Sequence, residues 1–261
     1  MYKVVFLDID GTIRNSKKEI TAYTKTAIKR VINKGTQVVI CTGRSRDYAI
    51  SVSKEALASP CVIVSDGAYV YDYAKQKDIY TLELAPATLE KIYNITRKYN
   101  ISITVDTTSG QYTNDKSVTS PSVTYQDNFL ENMLKEKILH VHIVSNDKEK
   151  MTKTLEELEK LDNIKFGFNG LYQFGENYFI FLADPNSNKG DGIKNFCKYF
   201  NISIKETVGI GDDFNDLAMF KNVGVSVAMG NAQENIKKVC TYVTDTNDND
   251  GVAKWLNANI K

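Results

Sequence analysis

The chain has almost no net charge. Its 33 lysines and arginines stand against 32 aspartates and glutamates, leaving +1, and the basic residues are scattered. That excludes the electrostatic footprint that nucleic acid or an anionic membrane surface demands of a partner. It also lacks any apolar run approaching the ~20 residues of a membrane span. Met1-Tyr2-Lys3 leads straight into the first apolar stretch, so no signal peptide is expected. Cysteine is scarce, and Cys41, Cys61, Cys197 and Cys240 show neither metal-ligand nor redox spacing. Reduced, mostly buried thiols in a cytoplasmic protein are the expectation. There is no internal repeat and no low-complexity tract. What remains is ordinary for a soluble globular protein, 42% hydrophobic and 25% charged. The 261 residues allow one large domain or two modest ones, at ~100–200 residues per domain.

The chain is organised around Val4-Val5-Phe6-Leu7-Asp8-Ile9-Asp10-Gly11-Thr12. Four apolar residues read as a short buried strand. Asp8 and Asp10 follow it, two residues apart and able to share one side if the strand geometry persists. In an open α/β sheet, ligands bind beyond the carboxyl ends of the strands, where these acids would lie. Two close acids repel each other unless a cation or a shared proton intervenes.

A helix follows from Ile20 to Ile32, stopped by Gly35, then a strand over Gln37–Cys41 ending in Thr42-Gly43-Arg44. A helix over about Asp47–Leu57 and a strand over Val62–Val64 complete a strand–helix rhythm that predicts a parallel sheet. Tyr69–Tyr73 and Ile79–Leu84 read as a ribbon. Near Pro86 the character changes to a helix (Leu89–Tyr99), an alternating strand (Ile101–Val105) and a Thr/Ser/Asn-rich stretch at 107–123 read as loop or edge ribbon. A strand (His140–Val144), a helix (Met151–Leu161) and strands at Ile164–Phe168 and Tyr178–Ala183 follow. Asp184–Asn188 is linker-like, after which the α/β rhythm returns. The fold expected is a Rossmann-like doubly wound parallel-sheet core, residues 1–84 and 184–261, interrupted by an α+β unit at 85–183. Its hinges are expected near Leu84–Pro86 and Ala183–Asn186.

Several acids fall at strand ends: Asp8 and Asp10 after the first, and Asp212, Asp213 and Asp216, with Asn215, after Thr207–Ile210. Lys189 opens a helix, where the dipole disfavours a cation, so an anionic ligand or nearby carboxylates must explain it. Carboxylate oxygens suit a hard cation such as Mg²⁺. Three other patterns attract notice. Asp245–Gly251 superficially suggests a calcium loop, but its glycine is one place late and Leu256 stands where a bidentate Glu is needed. His140 and His142 share a strand face, yet no acid or thiol cluster lies near them in sequence, so a structural role is expected. The aromatics from Phe166 to Phe181 read mainly as sheet packing, with one or two able to line a pocket.

In this order the motifs resemble the haloacid dehalogenase-like phosphohydrolases, and within them the Cof-type branch with its large inserted cap. The matching residues are Asp8-Ile9-Asp10-Gly11-Thr12, Thr42-Gly43-Arg44, Lys189-Gly190 and Gly211-Asp212-Asp213-Phe214-Asn215-Asp216, with Val227–Ala232 and Asn247–Ala253 also typical of the branch. Asp66 departs from the branch's usual Asn before Gly-Ala. The resemblance implies Asp8 as nucleophile and Asp10 as acid and base. It implies Mg²⁺ held by Asp8, the Asp10 carbonyl and Asp212. Thr42, the Gly43 amide, Lys189 and Asn215 would hold the phosphoryl oxygens. One of Asp213 and Asp216 would orient Lys189 or a metal-bound water, and Arg44 would reach either the substrate or a surface partner. The activity implied is a Mg²⁺-dependent phosphatase of small phosphorylated metabolites, sugar phosphates by analogy, acting as a monomer or small homo-oligomer without nucleic acid or membrane. Two alternatives are a phosphomutase of the same superfamily and a phospho-accepting receiver-type domain.

Overall fold

The computed structural model describes residues 2–260, and every side chain in that span except those at 168 and 169. By contacts the chain divides into two compact units, Met1–Thr81 with Asn188–Lys261, and Leu82–Ser187.

The first unit opens with β1 (Val4–Leu7), α1 (Ala22–Asn33), β2 (Gln37–Cys41), α2 (Arg46–Glu55), β3 (Cys61–Val64), β4 (Tyr69–Asp72) and β5 (Lys77–Thr81). The second unit contributes α3 (Pro86–Lys98), β6 (Ile103–Thr107), β7 (Gln111–Thr113), β8 (Val123–Tyr125), α4 (Phe129–Met133), β9 (Ile138–Ser145), α5 (Lys148–Leu158), β10 (Lys165–Phe174) and β11 (Asn177–Ala183). The first unit resumes with α6 (Lys189–Phe200), β12 (Thr207–Gly211), α7 (Leu217–Phe220), β13 (Val225–Ala228), α8 (Glu234–Lys237), β14 (Tyr242–Val243) and α9 (Gly251–Asn259).

The first unit's sheet runs β14-β13-β12-β1-β2-β3-β4-β5. It is parallel from β14 to β3, with β4 and β5 added antiparallel at one edge. β1 lies in the middle, pairing Phe6 with Gly209 of β12 and with Val39 of β2. Its four residues are fully buried, as a strand covered on both faces requires. Val4, Phe6, Val39, Cys41 and Ile63 face a core completed by Ile193, Phe196, Met219 and Ile236 from α6, α7 and α8. The alternate residues Val5, Leu7, Val38 and Ile40 are equally buried, and α1 and α2 pack against β2. This is the expected doubly wound core.

The second unit is a six-stranded sheet ordered β10-β11-β9-β6-β7-β8, antiparallel except between β7 and β8. Leu89 and Ile92 of α3 and Met151 and Leu158 of α5 pack onto Ile103, Val105, Val141, Ile143, Ile180 and Leu182. Both long helices therefore cover one face, an α+β arrangement. This unit reaches a few residues beyond the span expected from sequence. Leu84 is buried in its core and donates its backbone N–H to Ile138 O, and Lys165 Nζ bonds Ser187 O at 2.7 Å. β10 extends to Phe174 because Leu171–Phe174 pair with β11. Phe168, among the aromatics singled out above, lies outside the described side chains.

The apparent calcium loop disperses its carboxylates. Asp245 pairs with Lys254, Asp248 accepts from Ser16, and Asp250 accepts from Thr21 and Thr24. All four cysteines are free thiols, and three of them are buried. Among the described residues no helix is long and apolar enough to cross a membrane.

Candidate active site

The carboxyl ends of β1, β2 and β12 and the start of α6 bring the sequence-predicted residues together. Asp8 follows β1 directly, its backbone N–H donating to Ile210 O on β12. Its side chain is buried, with Oδ1 2.6 Å from Lys189 Nζ. Lys189 is the first residue of α6, behind Asn188, whose side chain accepts from Asp191 N and caps the helix. It is completely buried. Its position is set by the loop after β3, where Gly67 has φ +88° and a side chain there would begin 2.0 Å from Asn188 O. A lysine at the unfavourable end of a helix is thus explained by carboxylates, since Asp216 Oδ1 also lies 2.6 Å from Nζ.

Asp216 resolves the question left open between it and Asp213. Besides Lys189, it accepts the backbone N–H groups of Asp212 and Asp213 on Oδ2, at 2.9 and 3.1 Å. One buried carboxylate therefore orients the lysine and shapes the turn that presents Asp212. Asp213 instead caps the short turn Phe214–Asp216, accepting from Phe214 N.

Asp212 is held by two residues to which sequence reasoning assigned no role. Thr12 Oγ1 donates to Oδ1 at 2.8 Å, and Asn231 Nδ2 reaches both Gly11 O and Oδ2. Both residues stand in stretches recognised as typical of the family, which was the available signal. Gly11 has φ +73°, and a Cβ there would lie 2.1 Å from Asp212 Oδ2. The glycine therefore serves both the turn and the close approach.

The remaining residues divide into pairs. Asp10, half exposed, forms an ion pair with Arg44, Nε to Oδ2 at 2.9 Å. That places Arg44 on a predicted catalytic carboxylate, while its guanidinium also lies 5.5 Å from the Tyr48 ring centre. Thr42 is buried, and its hydroxyl accepts from Arg44 N. Asn215 Nδ2 donates to Asp66 Oδ1 at 3.3 Å, and the same carboxylate lies against Gly43. Asp66, the departure from the family pattern, therefore stands among the residues expected to hold phosphoryl oxygens.

Burial governs the electrostatics. It pushes Asp8 above the usual carboxylate range, with Lys189 opposing and the charges of Asp216 and Asp212 adding. Burial also raises Asp212 to about 6, opposed by the Thr12 hydrogen bond and reinforced by Asp216 and Asp213. For Lys189 burial acts to lower the pKa, but Asp216 and Asp8 reverse it and keep the ammonium charged. One oxygen from each of Asp8, Asp212 and Asp216 lies within 4.8 Å of the other two. Fully ionised, these three carboxylates against one ammonium would leave two negative charges, which a divalent cation would balance. An all-oxygen donor set suits Mg²⁺.

A sequence profile of the haloacid dehalogenase-like hydrolases matches residues 5–256. The chain belongs to that family. As a haloacid dehalogenase-like hydrolase it is an enzyme of the phosphatase type. It is 25% identical over 258 residues to the 5-amino-6-(5-phospho-D-ribitylamino)uracil phosphatase YcsE of Bacillus subtilis, covering 97% of this chain and 94% of that protein. It is 26% identical to a phosphoglycolate phosphatase of Methanobrevibacter smithii, over 97% of this chain and 96% of the relative. Among solved structures, a haloacid dehalogenase-like hydrolase from Bacteroides thetaiotaomicron superposes with a TM-score of 0.86 at 25% identity, covering 99% of both chains.

Proposed function

We propose that this hydrolase is a Mg²⁺-dependent phosphatase of small phosphomonoesters, sugar phosphates among them, working through an aspartyl-phosphate on Asp8. One observation carries the reading: a buried carboxylate at the end of the central strand, held 2.6 Å from a buried lysine that a second buried carboxylate fixes. Asp8 and Asp212, with the Asp10 carbonyl, would hold Mg²⁺, which when bound neutralises charge on the phosphoryl group. The protein's own residues do the rest. Asp8 attacks phosphorus, and the bond from phosphorus to the alcohol oxygen breaks as Asp10 delivers a proton to that oxygen. Asp10 then takes a proton from water, whose oxygen bonds to phosphorus while the bond to Asp8 breaks, releasing inorganic phosphate. Lys189, Thr42, the Gly43 amide and Asn215 hold the phosphoryl oxygens in line with the attack.

The second unit, inserted between β5 and α6, is proposed as the cap that recognises the rest of the substrate. The names of the two relatives support phosphomonoesters of small polar molecules as the class. The deciding experiment is phosphate release across sugar phosphates, nucleotides, pyridoxal phosphate and phosphoglycolate, with Asp8→Asn as control. Repeated turnover by the parent and background release by a folded Asp8→Asn variant are expected. A single labelling without turnover points to a receiver-type domain, and phosphoryl return to the substrate points to a mutase.

A further inference from the structure

We propose that Asp106, His140 and His142 form a second metal site, within the unit Leu82–Ser187, for a transition-metal dication such as Zn²⁺. This unit's sheet has two unlike faces. One is the apolar face beneath α3 and α5. The other carries Thr104 and Asp106 from β6, His140 and His142 from β9, and Phe179 and Phe181 from β11, the alternates of the core residues. Asp106 pairs with His140 across the ladder and Thr104 with His142, so the carboxylate stands opposite one imidazole and diagonal to the other. A sequence scan sees two histidines and no acid nearby. The acid comes from another strand, more than thirty residues earlier.

The geometry suits a metal better than a simple pair requires. One ligand atom from each residue lies within 4.8 Å of the other two. His142 Nε2 and Asp106 Oδ2 are 3.1 Å apart, close to the edge of ~3.3 Å in a tetrahedron with Zn²⁺ bonds of ~2.0 Å. Two imidazoles and one carboxylate form a three-ligand set known for Zn²⁺ and unsuited to Mg²⁺ or Ca²⁺, which prefer oxygen alone. The surroundings hold the ligands in place. Asp106 is 2% exposed, and its other oxygen accepts from Gln111 Nε2 at 2.6 Å. The His142 ring meets Phe181 edge-on, with centroids 5.0 Å apart. Outer partners of this kind fix carboxylate and ring orientation in metal sites.

A hydrogen-bonded His–Asp pair without metal uses some of the same contacts, and a titration separates the two. The chain has only two histidines, so its imidazole resonances report on this cluster alone. The full-length protein is titrated with Zn²⁺ in excess Mg²⁺, which occupies the oxygen-rich site, while the imidazole ¹H–¹⁵N signals are followed. Both imidazoles should shift together and saturate at one Zn²⁺ per chain. Gln111→Ala, at a polar position on β7, should weaken Zn²⁺ by about 10–100-fold. Asp106→Asn, which keeps the side-chain shape, should weaken it at least as much. Imidazoles that do not move in excess Zn²⁺, or that move one without the other, overturn the proposal. So does an Asp106→Asn variant that binds as tightly as the parent.

Discussion

Lys189 carries the most consequence of any single residue, because an ammonium this deeply buried depends on the carboxylates around it. Asp216→Ala removes one of them and also strips the acceptor from the amides of Asp212 and Asp213. Breaking a buried pair from one side costs about 3–5 kcal/mol, and urea unfolding of the metal-free protein should show a loss of that size. A loss near zero would mean that Lys189 is compensated elsewhere. Asp212 gives a pH prediction. Its pKa is raised from 3.8 to about 6, so proton and Mg²⁺ compete for it below that value. Mg²⁺ affinity, measured by calorimetry, should therefore rise as pH increases through about 6. The same shift means that the folded state binds this proton more tightly than the unfolded chain. Asp212's contribution to the stability of the metal-free fold is accordingly lost as pH rises through about 6. A Mg²⁺ affinity that is flat across that window would remove Asp212 from the metal site.

At the scale of elements, the site depends on where strands stop and how the next turn is shaped. β1 ends at Leu7, and the turn through Gly11 lies against Asp212, which follows β12. Gly11→Ala needs an unfavourable φ and forces the Asp212 carboxylate to move. A displacement on the order of 1 Å in a catalytic group can cost about 100-fold in rate. Phosphate release by Gly11→Ala should fall by about that factor while circular dichroism stays unchanged. Rates within threefold of the parent would show that the turn has slack. Element types were largely legible from periodicity, and the short pieces were not. α4, α8 and β14 are too brief for a 3.6- or 2-residue period to register; buried Phe129, Met133 and Ile236 anchor the two helices, and pairing with β13 holds β14. β10 outran its expected end because strand pairing with β11, a non-local event, sets its length.

For the whole molecule, the two units divide the labour proposed above: chemistry in the parallel-sheet unit and recognition in the inserted one. Replacing Leu82–Ser187 with a short linker, in a soluble core shown by circular dichroism to be folded, should leave Mg²⁺ binding intact. Discrimination among sugar phosphates should collapse, because binding energy from the non-reacting part of the substrate is gone. A core that keeps the parent's substrate ranking would locate specificity within itself. From the amino-acid order alone follow the doubly wound core, the interruption by an α+β unit and the expectation that Asp8, Asp10, Lys189 and Asp212 belong to one constellation. Those features rest on local periodicity and on motifs a few residues long, which survive in a linear reading. Tertiary structure alone decided that Asp216 rather than Asp213 grips Lys189, that Thr12 and Asn231 hold Asp212, and that Arg44 lies on Asp10. It alone brought Asp106 to the two histidines. The reason is physical: these are contacts between residues 19 to 200 positions apart, fixed by sheet order and strand register, and no local pattern in the chain encodes them.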